Sequence, residues 1–419
     1  METVVLGIAI IGGLYMAWNI GANDVANAMG TSVGSGALTL TGAIVVAGIF
    51  EFGGAVLVGS HVTDTIRKGI IEVAMFEPTG PFGPDGPLIL ALGMLSALIA
   101  AGAWLHLATH LSLPVSTTHS IVGAVVGIGV ASFGWAGVDW SKLVEIMMSW
   151  VVSPLLGGFI AWTTFVFIRK RILQSGNPVA ATRRVSPYLI SVVLAVMILS
   201  LIYKALGNVM EAPPFLLAML IAGMIGVAGG AACGWLIRRS PPRQEDPYVY
   251  VERIFARLQI GTACFVAFAH GANDVANAVG PLAAVVDLHR AGFEAISTQV
   301  AVPMWVLMLG GGGIVLGLAT LGYRVIATIG KQITEMTPTR GFSAEFGAAT
   351  TVLIASRMGL PVSTTHTLVG GVVGVGFAHG MGALNMRVIR NIVNSWLATV
   401  PAAALAAAAL FTVARLIFV

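Results

Sequence analysis

The stretch Gly21-Ala22-Asn23-Asp24-Val25-Ala26-Asn27-Ala28 returns letter for letter as Gly271-Ala272-Asn273-Asp274-Val275-Ala276-Asn277-Ala278. A second stretch, Pro114-Val115-Ser116-Thr117-Thr118-His119, returns as Pro361-Val362-Ser363-Thr364-Thr365-His366. The displacements are 250 (271 minus 21) and 247 (361 minus 114) residues, so two separate phrases recur in the same order at nearly one spacing. The chain therefore holds two homologous halves. Each half sets Asp, Asn, Ser, Thr and His into otherwise apolar sequence, which is where function is expected.

Working outward, the 419 residues are 57% hydrophobic and 10% charged. Mean hydropathy is +0.91. Soluble domains carry about 25% charged residues, and no soluble fold has enough polar surface to cover so apolar a chain. Apolar runs of about 18 residues or more recur, each long enough to cross a bilayer of roughly 30 Å as a helix. Twelve can be drawn, at roughly 3–20, 38–60, 88–110, 114–134, 143–169, 187–205, 215–237, 254–270, 296–322, 344–360, 361–380 and 388–418. The short alternating segments of a β-barrel are missing. The expected class is an all-α polytopic membrane protein with about twelve transmembrane segments, its main partner the lipid bilayer. The first run opens at Thr3 with no basic region ahead of it, so it reads as a retained span. Cys233 and Cys264 suggest neither a disulfide framework nor a metal site. The net charge of +4 reflects basic loops and not a nucleic-acid surface.

Loop charges orient the spans. Arg169-Lys170-Arg171 through Arg183-Arg184, and Arg238-Arg239 through Arg243, Arg253 and Arg257, are basic and belong in the cytoplasm by the positive-inside bias. The loop from Gly207 to Pro214 carries Glu211 and no Lys or Arg, which fits the outside. In the loop 61–86, Arg67 and Lys68 stand against Asp64, Glu72, Glu77 and Asp85, again favouring the outside. Counting back puts the N-terminus outside and starts the second half inside; both termini are then extracellular. Halves that start on opposite faces form an inverted repeat, as in many secondary transporters, with broken helices or re-entrant hairpins at the midplane. The resulting division is residues 1–172 for the first repeat, 173–251 for basic loops and two linking helices, and 252–419 for the second repeat.

A charge at mid-membrane costs roughly 2.5–3.5 kcal/mol on insertion scales, so Asp24 and Asp274 mark function. Glycines beside them permit a break at which backbone carbonyls leave their helical partners. Carbonyls, carboxylates and amide oxygens make a cage for a hard cation, with Asp24, Asn27, Asp274 and Asn277 as its side chains. The competing reading is helix packing, with Gly and Ala allowing close approach and Asn sealing the contact. In the second phrase, Pro suits the first turn of a helix. Ser116, Thr117, Thr118, Ser363, Thr364 and Thr365 then lie near helix N-termini, where free N–H groups, the dipole and hydroxyls suit an anion; Asn23 and Asn273 are added to that set. The alternative is that these hydroxyls satisfy their own helix backbone.

Neither phrase contains Lys or Arg. An anion beside Asp24 and Asp274 is repelled, on the order of 4 kcal/mol at about 4 Å and an effective dielectric of 20. Cations placed between them remove that repulsion, so cation binding becomes a condition for anion binding. Protonation of the carboxylates serves equally. Glu51, His270 and Glu345 are not repeated between the halves, which suggests gating or coupling; a plain helix-end carboxylate is the other reading of Glu345. His119 and His366 are not read as metal ligands. No cofactor and no transition metal is expected.

Two Gly-Ala-Asn-Asp-Val-Ala-Asn-Ala motifs, each followed by Pro-Val-Ser-Thr-Thr-His, closely resemble the inorganic phosphate transporter (PiT) family. The likeness covers roughly residues 1–172 and 252–419. It implies an inverted-repeat fold with the substrate site between the halves, and phosphate carried by symport with sodium or protons. It makes Asp24 and Asp274 essential, surrounds them with Asn23, Asn27, Asn273 and Asn277, and implicates the Ser and Thr residues of the second phrase. Glu51, His270 and Glu345 match positions regarded as important in animal members. The stretch 170–255 is short and lacks the large cytoplasmic domain of many eukaryotic relatives, which points to a prokaryotic member in the plasma membrane. Some relatives carry sulfate. A small-solute channel is a second class, and an intramembrane hydrolase using Ser116 with His119, neighbours at i and i+3, a third. Homodimers are common among transporters of this shape, and no stretch here marks a dimer interface.

Overall fold

The computed structural model describes residues 2–59, 70–204, 213–239, 246–296, 302–357 and 362–419. Arg67, Lys68, Glu211 and Pro361 lie outside the described residues. Helix α1 (Glu2–Ile20) passes through a π-helical turn, Gly21–Val25, into α2 (Ala26–Gly34). Then come α3 (Leu40–Val58), α4 (Gly86–His110), α5 (Thr117–Phe133) and α6 (Trp140–Ile168). The central pair is α7 (Pro178–Lys204) and α8 (Phe215–Arg239). The second half holds α9 (Pro247–Arg290), α10 (Met304–Leu321), α11 (Tyr323–Lys331), α12 (Pro338–Arg357), α13 (Thr364–His379) and α14 (Met386–Phe418).

Among the described residues, ten helical segments are long and apolar enough to cross a membrane. The exceptions among the twelve expected runs are 344–360 and 361–380, which form α12 and α13. α12 carries Arg340 and Glu345, and α13 has only 16 residues.

α4–α5 and α12–α13 are hairpins whose tips meet and whose open ends diverge. The side chains of His119 and His366, one from each tip, pack edge to face with ring centroids 4.2 Å apart. At the other end of α5, a short 3-10 turn, Gly134–Gly137, leads into α6. α6 is 29 residues long, about 43 Å at 1.5 Å per residue. Beyond its far end Arg169 donates to the Ala378 carbonyl, in the last turn of α13. The two hairpins therefore enter from opposite ends of α6. Each half contributes one such hairpin.

Small residues set this packing. A Cβ on Gly127 would stand 2.1 Å from the Ala404 carbonyl oxygen of α14, and one on Gly374 2.1 Å from the Gly158 oxygen of α6. With Gly123 and Gly370 one turn earlier, these are small-xxx-small contacts, which let helix backbones approach where water supplies no driving force. Each hairpin's second helix thus rests on the long helix of the other half: α5 on α14, α13 on α6.

The first phrase departs from expectation. Neither copy breaks its helix: the first forms only the π turn, and the second runs regularly through the 44-residue α9. The glycines serve packing instead. A Cβ on Gly21 would sit 1.8 Å from the Ile314 carbonyl oxygen of α10, and one on Gly271 2.2 Å from the Glu51 oxygen of α3. Side chains, not unwound carbonyls, line the site. The added residue of a π turn re-aims the side chains around it, and such turns concentrate at functional sites.

Candidate functional site

Asp24 and Asp274 are buried where the hairpin tips meet the two phrase-bearing helices. The Asp24 carboxylate accepts from the Thr117 hydroxyl at 2.7 Å and from the Thr117 backbone N–H at 3.3 Å, both at the start of α5. It also accepts from the Thr365 hydroxyl, at the start of α13. One carboxylate is thus gripped by both hairpins. Asp274 accepts from Thr364 at 2.9 Å, and from Asn273 and Asn277 at 3.1 Å each. The Asn277 amide also reaches the Thr117 hydroxyl at 3.2 Å, tying α9 to α5. The bonds that end on the two carboxylates are charge-assisted bonds to buried acceptors, the stronger kind.

His270 stands between the carboxylates. Its Nε2 lies 2.8 Å from Asp274 Oδ2 and 3.7 Å from Asp24 Oδ1, and its Nδ1 lies 3.0 Å from Glu51 Oε2. Glu51 on α3 is fully buried, so three carboxylates converge on one imidazole. The His/Asp/Asp trio is compact enough to hold an ion. Its donors are mostly oxygens, which suit a hard cation. Asp24, His270, Thr364 and Thr365 line a cavity of about 30 Å³ whose other walls are alanines, valines and Leu368. That is room for a bare ion or a water molecule.

The remaining expected residues are placed differently. Asn23 faces the α4–α5 connection: its amide N–H groups go to Thr109 Oγ1 and the Leu113 carbonyl at 3.0 Å, and its oxygen accepts from Val115 N–H at 3.0 Å. It holds the first hairpin's tip. Ser116 and Ser363 are N-caps, accepting from the backbone N–H of His119 at 3.3 Å and of His366 at 3.2 Å. Thr118 is buried beside them. The Asn27 side chain lies outside the described residues. The Ser116 hydroxyl is a helix cap and not the partner of an imidazole, for the His119 ring stacks on Trp150 at 3.5 Å. The geometry of a Ser–His nucleophile is not formed.

Glu345 is no helix-end carboxylate. Fully buried on α12, it accepts from Thr31 at 2.7 Å, Ser32 at 2.8 Å, Gln259 at 3.0 Å and the Thr262 hydroxyl. Ser35 donates to the other end of Gln259 at 2.7 Å. The sequence reading missed Thr31, Ser32, Gln259 and Thr262. The available signal was their isolation as polar residues in apolar runs that flank the repeated phrase.

Comparison with known proteins identifies the family. The family model described as "Phosphate transporter family" matches residues 20–407. A candidate phosphate permease of Pyrococcus furiosus is 46% identical over 409 residues, covering 97% of this chain and 95% of its own. The Arabidopsis thaliana protein "Inorganic phosphate transporter 2-1, chloroplastic" is 45% identical over 432 residues, 96% of this chain and 71% of its own. A solved structure, "The sodium-dependent phosphate transporter", superposes with a TM-score of 0.89 at 44% identity, covering 99% of this chain and all of that one. Paired buried carboxylates, hydroxyl-bearing hairpin tips and a family match over nearly the whole chain lead to one assignment: this chain is a member of the phosphate transporter family.

Proposed function

We propose that the protein imports inorganic phosphate across the plasma membrane by symport with sodium ions, and that its two repeats alternate access to a shared central site. The observation that carries this is Asp24, whose carboxylate takes hydroxyls from both hairpin tips, Thr117 and Thr365. Sodium entering between Asp24 and Asp274 displaces these hydroxyls as donors and takes up the oxygens as ligands, with Asn277 beside them and Asn27 kept as a proposed ligand. The freed hydroxyls of Thr117, Thr364 and Thr365, with Thr118 added from the same tip, then face phosphate, helped by the N-terminal dipoles of α5 and α13. Ser116, Ser363 and Asn23 shape the tips, and Asn273 orients Asp274. Because the phrases bring no Lys or Arg, the cation supplies the positive charge the anion needs, and the two bind together. The similarity, at 44% identity, to a phosphate transporter described as sodium-dependent supports the same choice of ion.

In this reading residues 1–172 and 252–419 are the inverted repeats, 173–251 links them, and both termini lie outside. His270, Glu51 and Glu345 couple or gate the movement, and no step calls for covalent catalysis or a cofactor. The test is uptake of labelled phosphate into proteoliposomes under a sodium or a proton gradient imposed separately, with sulfate as competitor. Uptake on sodium alone is expected. Uptake on protons alone moves the coupling role to protonation of the same carboxylates, and movement of sulfate in place of phosphate overturns the substrate.

A further inference from the structure

The ends of α7 and α8 form a concave basic pocket remote from the carboxylate site. It has a volume of about 590 Å³ and is lined by Asn177, Val179, Ala180, Arg183, Arg184 and Arg238. Three guanidiniums from two helices thus share one lining that contains no carboxylate among the described residues. The N-terminus of the 27-residue α7 opens into the same space, with Asn177 Oδ1 accepting from Ala180 N–H at 2.9 Å. Tyr250 of α9 orients the pocket: Arg183 Nε donates to its hydroxyl at 3.2 Å. Arg184 and Arg238 form no ion pair among the described residues, and Arg238 is exposed.

The flank identifies the ligand. One turn before Arg238, Trp235 is 52% exposed and carries the Arg239 guanidinium 3.7 Å above its ring. Leu236 next to it in sequence is exposed as well, and so is Tyr188 of α7. An outward Trp next to arginines is the signature of the membrane–water interface, and the apolar flank leads directly into the lipid zone. Guanidinium forks match phosphate oxygens two at a time. We propose that this pocket binds the phosphodiester headgroup of an anionic phospholipid, with its acyl chains running along the outer face of α8. A bound headgroup would pin the central pair α7–α8 to the bilayer while the repeats move beside it.

The test is titration of the purified, full-length protein with phosphatidylglycerol or phosphatidylcholine, read by native mass spectrometry and by thermal unfolding. Phosphatidylglycerol is expected to bind preferentially and raise the unfolding midpoint. The double variant Arg184→Gln/Arg238→Gln should bind it about 30-fold more weakly, from the usual worth of two basic residues at a membrane surface. Arg184→Lys/Arg238→Lys, which keeps the charge but loses the fork, should fall between. Arg387→Gln/Arg390→Gln removes the same charge from exposed positions at the start of α14 and should bind as the unaltered protein does. Phosphate uptake in neutral lipid reports that each variant is folded. Equal weakening by the α14 variant would overturn the proposal in favour of diffuse attraction. Stabilisation by millimolar inorganic phosphate through Arg184 and Arg238, with no preference for phosphatidylglycerol, would overturn it in favour of a soluble anion site.

Discussion

Thr365, at the tip of the second hairpin, donates its hydroxyl to the carboxylate of Asp24 in the first half, 341 residues away in sequence. The bond is not a copy of the one Thr117 makes to Asp24, because Thr117 and Asp24 belong to the same half while Thr365 crosses between halves. Thr364 makes the second half's own equivalent, to Asp274. The shared carboxylate ties the tip of the second hairpin to the first half, beside the bond from Asn277 to Thr117.

Thr365→Val should therefore damage coupling more than Thr118→Val, although the two positions are equivalent in the repeat. A hydrogen bond to a charged group contributes about 1.5–3 kcal/mol. The apparent sodium affinity of Thr365→Val is expected to fall between about 10- and 100-fold, with Thr118→Val nearer the unaltered value. Sodium titration of phosphate uptake measures both. Equal losses would show that the cross-repeat bond has no special part.

The glycines of the first phrase make a prediction of opposite sign to the usual helix rule. Gly to Ala inside a helix ordinarily stabilises by roughly 0.5–1 kcal/mol. At Gly271 the new methyl would meet the Glu51 carbonyl oxygen at 2.2 Å, a backbone atom that cannot swing away, whereas at Gly261 on the same helix nothing lies within 4 Å. Gly271→Ala should lose at least about 1–3 kcal/mol to overpacking, and Gly261→Ala should be neutral or better. Thermal unfolding in one detergent compares them. A stable Gly271→Ala protein would mean that α3 and α9 can separate freely.

Much of this was legible in the sequence, and the reasons are specific. Hydropathy gave the class because lipid forces the backbone into helices. The exact repeat singled out Asp24, Asp274 and the Thr residues, and the structure brings Thr117, Thr364 and Thr365 onto the two carboxylates. What stayed hidden was direction. The same eight letters give a π turn in one half and a regular helix in the other, since the neighbours of Gly21 and Gly271 differ. Asn23 and Asn273 are identical in sequence, yet one ties down a loop and the other orients a carboxylate. No local pattern distinguishes the two. The donors of the Glu345 cluster stand out singly as polar residues in apolar runs, but their meeting did not, because they come from α2 and α9, segments far apart in the chain.

That cluster carries its own prediction. Glu345 of α12 accepts from Thr31, Ser32, Gln259 and Thr262, so its carboxyl oxygens are shared among donors from α2 and α9. Thr262→Val keeps the shape and removes one donor to a buried carboxylate, whose loss costs about 1.5–3 kcal/mol. If the cluster holds one state of the transport cycle, Thr262→Val should slow phosphate uptake several-fold while leaving binding affinity near its normal value. If it is only structural, unfolding will shift and the uptake rate per folded molecule will not. Vmax and apparent KM, normalised to folded protein, separate the two outcomes.

The two serines test whether the second phrase binds or builds. Ser363 accepts from the His366 backbone N–H at 3.2 Å, as Ser116 does from that of His119, so each spends its oxygen on capping a helix. Removing a cap costs about 0.5–2 kcal/mol, and Asn caps as well as Ser does. Ser363→Ala should lower the unfolding midpoint with little change in apparent KM for phosphate, and Ser363→Asn should restore stability. The neighbouring Thr364→Val should behave in the reverse sense, because its hydroxyl is spent on Asp274 and not on its own helix: stability is largely kept and the apparent KM rises. If Ser363→Ala instead raises the phosphate KM at normal stability, the serine hydroxyl leaves its cap during transport to become a phosphate ligand. The N-terminus of α13 would then have to open in the loaded state.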